Sequence, residues 1–233
     1  MVFRLPIQSI AMIIGLILCI YSFHDDPRTQ VNQAINEFSS ANILIIDPGH
    51  GGLDGGAVSA DGKKESDINL CISLKLNALS HLYGVTTAMT RTSDDIPYPQ
   101  SANTISACKK ADQQMRLSLI RDCPNAILYS IHQNYFPHSQ VSGAQVLYGH
   151  DETSRKLGQF LQVELCRYLC PDCRRVASEV DESIYLMKHC ECTSVLVECG
   201  FLSNPSEAKR LQNNEYQTKI AAILLYTYLQ FTY

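Results

Sequence analysis

Ile43-Leu44-Ile45-Ile46-Asp47-Pro48-Gly49-His50, continued by Gly51-Gly52, is the stretch that decides the fold. Four consecutive apolar residues, three of them β-branched, read as a buried strand. Asp47-Pro48-Gly49 stops it abruptly and presents His50 at its carboxyl end. In an open α/β sheet the crevice beyond the carboxyl ends of the strands is where ligands bind, and the glycines after His50 allow a metal or substrate to approach the backbone.

Two further apolar runs repeat the pattern. Ala126 to Ile131 runs into His132, and Thr193 to Glu198 ends on a carboxylate and is followed by Gly200. Val85 to Thr90 and Gly143 to Gly149 are expected as strands, and Ile184 to Met187 as a weaker candidate. Between them, helical spacing marks Ile68 to Tyr83, opened by an N-cap within Glu65-Ser66-Asp67 and ended at Gly84. Helices are likewise expected over Thr104 to Arg121, Thr153 to Leu169 and Glu215 to Leu229, with Asn204-Pro205-Ser206-Glu207 as a cap and first turn. Strands alternating with helices predict a single α/β domain, with a twisted, mostly parallel sheet covered by helices on both faces.

The 233 residues, 45% of them hydrophobic, suffice for one domain of ordinary size and a short appendage. The formal charge of -4 and the lack of a Lys/Arg run exclude nucleic acid as a partner. Leu5 to Phe23 carries no charge and approaches the ~20 residues that cross a bilayer. It follows Arg4 and precedes Asp25-Asp26, a polarity that places the remainder outside the membrane. Residues 1–24 are therefore expected to form a hydrophobic helix, an uncleaved anchor or a signal peptide, in either case exporting the protein. No A-x-A-like cleavage site follows the apolar core, which favours the anchor. Polar residues 25–40 suit a linker, and the folded domain is expected over 41–233.

Of the ten cysteines, Cys19 lies in the leader, leaving an odd nine that cannot all pair within one chain. Cys166, Cys170 and Cys173, with Cys190 and Cys192, admit three readings: small apolar residues, a disulfide or two, or a second metal site. The first is favoured, because Cys166 and Cys170 lie four apart on an amphipathic helix.

His50, His132 and Glu198 thus come from strand ends and Glu65 from a helix start. Two imidazoles and one carboxylate make a sufficient zinc set with a fourth position open, the arrangement of catalytic zinc. A second, unligated carboxylate can then carry protons. The residues alone leave open which glutamate does which.

The blocks DPGHGGLDGGAV, KESDINL, TRTSD, SIHQN and VLVECGFLSNPSEA resemble, in order, the motifs of the zinc-dependent N-acetylmuramoyl-L-alanine amidases of the Amidase_3 type, over nearly all of Ile43 to Leu229. That resemblance implies that His50, Glu65 and His132 bind Zn2+ and that Glu198 is the catalytic carboxylate. It implies hydrolysis of the amide joining N-acetylmuramic acid to L-alanine in peptidoglycan, so that peptidoglycan is the expected partner. Arg91, Arg116 and Asn134 also fall in family motifs; Arg116 is expected to tie elements together, and Asn134 to orient substrate or His132. The family commonly has Ala after the second histidine and a small or apolar residue after the catalytic glutamate, where this chain has Gln133 and Cys199. A bare catalytic domain behind a leader resembles the sporulation-type amidases that trim spore cortex. An activator protein is left open, and a catalytically inactive peptidoglycan-binding module of the same fold is the alternative, with a cysteine-based redox or metal sensor as a further rival. Asp47 is expected to form a turn or to brace a zinc-bound imidazole. Asp54 and Asp61, in a Gly-rich loop, carry no expected role.

Overall fold

The structure, a computed structural model, describes residues 42–232. The N-terminal helix expected over 1–24 and the linker expected over 25–40 lie outside the described residues. Among the described residues, no helix is long and apolar enough to cross a membrane.

Six strands form one sheet: β1 (Ile43–Pro48), β2 (Thr87–Met89), β3 (Ala126–Asn134), β4 (Gln145–Tyr148), β5 (Ser178–Glu179) and β6 (Thr193–Phe201). Their order is β2-β1-β3-β6-β4-β5. All neighbours are parallel except β4 and β6, which run antiparallel, so the sheet is mixed. The helices are α1 (Glu65–Leu82), α2 (Ile105–Arg121), α3 (Glu152–Leu169), α4 (Tyr185–His189), α5 (Pro205–Leu211) and α6 (Asn214–Thr232).

Helices cover both faces, as the alternation of elements predicts. Leu44 and Ile46 of β1 pack with Ile68 and Ile72 of α1, Leu161 of α3 and Leu224 of α6. Ile45, from the same strand, points the other way and packs with Leu117 of α2 and Leu186 of α4. The period of two along a strand buried on both sides requires this division.

The placement of β1, β3 and β6 side by side and parallel is what builds the site. Pro48 is level with Ile131, and His132 is level with Glu198, so the carboxyl ends of three central strands open onto one edge. β3 and β6 run on past His132 and Glu198, which therefore lie within their strands rather than at the last residue.

Two local expectations are corrected. Ile184 to Met187 is no strand: Tyr185–His189 is a short helix packed against α2. A four-residue apolar run is compatible with either conformation, and here the place beside β6 is taken by β4. The second concerns α1, which begins at Glu65 after Lys64 and has no side-chain cap. Its first free amides are satisfied instead by loop carbonyls, Glu65 N–H donating to Ala57 O at 2.8 Å and Ser66 N–H to Gly55 O at 3.1 Å. Elsewhere the capping signals hold: Thr104 caps α2, and Asn204 caps α5 through both Ser206 and Glu207 N–H.

Candidate metal centre

The loop between β1 and α1 brings His50 and Glu65 together, and β3 supplies His132. Glu65 Oε1 lies 3.3 Å from His50 Nε2 and 3.0 Å from His132 Nδ1. One ligand atom from each of the three residues lies within 4.8 Å of the other two, close enough to share a metal ion; among the described residues no other group of His, Cys, Asp and Glu does so. The two rings stand edge to face, with centroids 5.0 Å apart.

Close packing of backbone against these side chains tests the fit of an ion. A Cβ on Gly49 would collide with the His132 ring, and one on Gly56, at φ +67°, would come within 2.8 Å of His50 Cδ2. His50 itself holds φ +60°, a conformation unusual outside glycine, and is kept there by its surroundings. Its carbonyl accepts from Arg116 Nη2 at 2.7 Å, and its Nδ1 lies 3.0 Å from Asp54 Oδ2. With Nδ1 engaged by a carboxylate, Nε2 faces Glu65 and the shared position. The donor set of two imidazoles and one buried carboxylate suits a divalent ion of the zinc type.

Glu65 is almost fully enclosed. Its Oε2 accepts from Ala57 N–H at 2.9 Å, and its Oε1 accepts from Gln133 N–H at 3.1 Å and from Asn69 Nδ2 at 3.2 Å. Burial disfavours the ionised form, but hydrogen bonds and charge from His132 and His50 outweigh it and hold the carboxyl well below the usual range. Burial likewise opposes charge on His50, and the Asp54 and Glu65 carboxylates overcome it, raising the metal-free imidazole to about 9.

Glu198 is the opposite case. Its Oε2 is enclosed and has no hydrogen-bond partner. Burial pushes its carboxyl up to about 7, with His132 pulling against that rise and Glu65 adding to it. A carboxylate poised near neutrality beside a metal-capable group is suited to accept and release protons. Glu198 and His132 line a cleft of about 310 Å³ together with Lys109, Gln113 and residues of α4.

Arg116 ties the site to the sheet, as expected. It donates to Asp47 Oδ1 at 2.6 Å, Pro48 O at 2.7 Å and Asp112 Oδ1 at 3.0 Å, besides His50 O. Asp47 neither makes a simple turn nor braces an imidazole: it is the buried counter-ion of Arg116 and also accepts from Thr90 and Ser130. Arg91 anchors the same loop through Pro48 O, Gly49 O and Ser66 O.

Sequence reading missed Asp54. It bridges His50 and Lys109, whose Nζ is 3.0 Å from Asp54 Oδ1, yet in a Gly-rich loop nothing periodic marks it. Asn69 was legible in principle, one helical turn beyond Glu65 and on the same face. The nine cysteines of the described residues are free, and they contribute to no metal-capable group. Cys108 and Cys199 are buried as small apolar residues, and the Sγ atoms of Cys190 and Cys192 lie 3.0 Å apart.

The family described as Amidase_3, N-acetylmuramoyl-L-alanine amidase, matches residues 44–225. The chain is 34% identical over 224 residues to the germination-specific N-acetylmuramoyl-L-alanine amidase of Bacillus subtilis (strain 168), covering 94% of this chain and 92% of that one. Among solved structures it resembles the CwlD amidase from Clostridioides difficile, solved in complex with the GerS lipoprotein, with a TM-score of 0.77 and 36% identity over 82% of this chain and 98% of that one. The amidase AmiC2 of Nostoc punctiforme, 23% identical with a TM-score of 0.68 over 82% of this chain and 97% of that one, shares the fold.

Proposed function

Because the chain belongs to the Amidase_3 family of N-acetylmuramoyl-L-alanine amidases, we propose that it is a zinc-dependent hydrolase of the amide between the lactyl group of N-acetylmuramic acid and the first L-alanine of the peptide stem. The observation that carries this reading is the convergence of His50, Glu65 and His132 into one metal-capable group beside the unpartnered carboxylate of Glu198. His50 Nε2, Glu65 Oε1 and His132 Nδ1 are the atoms proposed to hold the ion. When bound, zinc supplies Lewis acidity, which acidifies water and polarises a carbonyl.

The chain's own residues do the rest. Glu198 takes a proton from the attacking water as the carbon–oxygen bond forms, and delivers a proton to the departing nitrogen as the carbon–nitrogen bond breaks. The products are the free lactyl carboxylate and the free amine of L-alanine. Asp54 orients His50, and the fully hydrogen-bonded Glu65 stays ionised as a ligand while Glu198 remains free to shuttle. Two carboxylates in one site take different roles because one is saturated with donors and the other has none.

Peptidoglycan lies outside the bacterial membrane, so the reading places the domain on the wall side, exported by the leader over residues 1–24. The likeness to a germination-specific relative supports spore cortex as the wall in question. The solved complex of a similar amidase with a lipoprotein supports a lipoprotein partner for this chain as well.

Mass spectrometry of products from purified peptidoglycan tests the reaction. The expected products are peptides with a free L-alanine amine and glycan with an unsubstituted lactyl group, formed with zinc and abolished reversibly by a chelator. Binding to the wall without product, in zinc-loaded protein, would instead establish an inactive binding module.

A further inference from the structure

We propose that Gln133 and Asn69 form an amide relay that positions Glu65 and sets the spacing of the three residues of the metal centre. The inference rests on the ligand reading above and extends it to two residues that touch neither the ion nor the substrate.

Asn69 is fully buried, and its side-chain amide is used at both ends. Nδ2 donates to Gly49 O at 3.0 Å and to Glu65 Oε1 at 3.2 Å, while Oδ1 accepts from Gln133 Nε2 at 3.0 Å. These partners allow one orientation only: a flipped amide would set its oxygen against two acceptors and its NH2 against a donor. Gln133 is 3% exposed and reaches Glu65 twice, directly through its main-chain N–H at 3.1 Å and indirectly through Asn69.

The network joins the neighbours of all three site residues. Gly49 precedes His50, Asn69 stands one turn after Glu65, and Gln133 follows His132. A displacement of any one of β1, α1 or β3 therefore stretches a buried hydrogen bond. An amide side chain on a buried strand position is also costly, and Gln133 Oε1 is left with no partner at all. An apolar residue would avoid that cost at this position, so the amide points to a task; its side chain also meets Cys199, and the bond it donates to Asn69 is the one that reaches Glu65. Outer groups that orient ligands typically change metal affinity by about 10–100-fold when removed.

The test measures zinc affinity by equilibrium competition with a chromophoric chelator for Gln133→Met, Asn69→Leu, the double variant and His50→Ala, with melting of the metal-free proteins as a fold control. Gln133→Met, similar in volume and lacking the donor, is expected to weaken zinc binding by at least about 10-fold. The double variant should be no weaker than the worse single one, because both break the same relay. Excess zinc should restore kcat in Gln133→Met and leave KM for peptidoglycan unchanged, which a merely structural lesion would not do. If Gln133→Met fails to melt cooperatively, Gln133→Ala is read in its place by the same criteria. Unchanged zinc affinity in Gln133→Met with zinc lost from His50→Ala overturns the relay alone, as do additive losses in the double variant. Zinc retained at full affinity by His50→Ala overturns the ligand reading beneath it.

Discussion

Asp54 Oδ2 lies 3.0 Å from Nδ1 of His50, while Asp54 Oδ1 lies 3.0 Å from the ammonium of Lys109. Burial opposes ionisation of Asp54, but its bonds to His50 and Lys109 win and keep it well below the usual carboxylate range. It therefore remains an anion that holds the imidazole with Nε2 turned to Glu65 and the proposed metal position. Asp54→Ala is expected to lower the pKa of His50 from about 9 in metal-free protein and to weaken zinc binding about 10–100-fold. Imidazole titration by NMR and chelator competition read the two effects, and a His50 pKa unmoved by the substitution would refute this role.

Glu198→Gln keeps shape and removes the proton acceptor. Zinc content should stay at the wild-type level while hydrolysis falls by about two to four orders of magnitude. His50→Ala should lose the metal itself. Metal analysis of both variants beside their turnover separates the roles, and equal zinc loss from the two would contradict them.

Metal capture should depend on pH in a definite direction. As a proposed ligand, His50 would have to lose its proton to bind an ion, and in metal-free protein the Asp54 and Glu65 carboxylates, overcoming burial, retain that proton up to about 9. Zinc affinity is thus expected to strengthen steadily from pH 6 to pH 9 at about one proton released from His50 per ion. Calorimetry in buffers of different ionisation enthalpy counts those protons, and a flat profile would count against His50 as a ligand.

Arg116 and Asp47 form an ion pair with both side chains buried, 2.6 Å apart. Arg116→Met strands the carboxylate and should cost about 3–5 kcal/mol in urea unfolding at pH 7. In the wild type, burial would raise Asp47, but Arg116, Ser130 and Thr90 prevail and lower it. Its contribution is complete above the ordinary value near 3.8 and is lost as pH falls through the lowered folded value. In Arg116→Met the strongest lowering influence is gone and only Ser130, Thr90 and His132 oppose burial, so the carboxyl rises from its wild-type value and protonation in acid relieves the stranded charge. The gap between variant and wild type should therefore narrow in acid, and a gap that widens would show that Asp47 is not the partner whose charge matters.

Much of this molecule is written locally. The run Ile43 to Ile46, broken by Asp47-Pro48-Gly49, specifies a buried strand with His50 just beyond it, and Asn204-Pro205 specifies a helix start, because chain stiffness, capping and burial act over a few residues. Alternation of strands and helices likewise determines the α/β class. The choice between glutamates is not local. Glu65 stands at 3.0 and 3.3 Å from the two imidazoles, and Glu198 Oε2 meets no donor, only because β1, β3 and β6 are adjacent and parallel with α1 packed on their face and its first residue reaching the site. The antiparallel turn of β4, the service of Asp54 to His50 and the meeting of Gln133 with Asn69 across 64 positions depend on the same assembly. Periodicity carries which face a residue shows. What stands opposite that face is settled when the sheet order brings distant segments within hydrogen-bond reach.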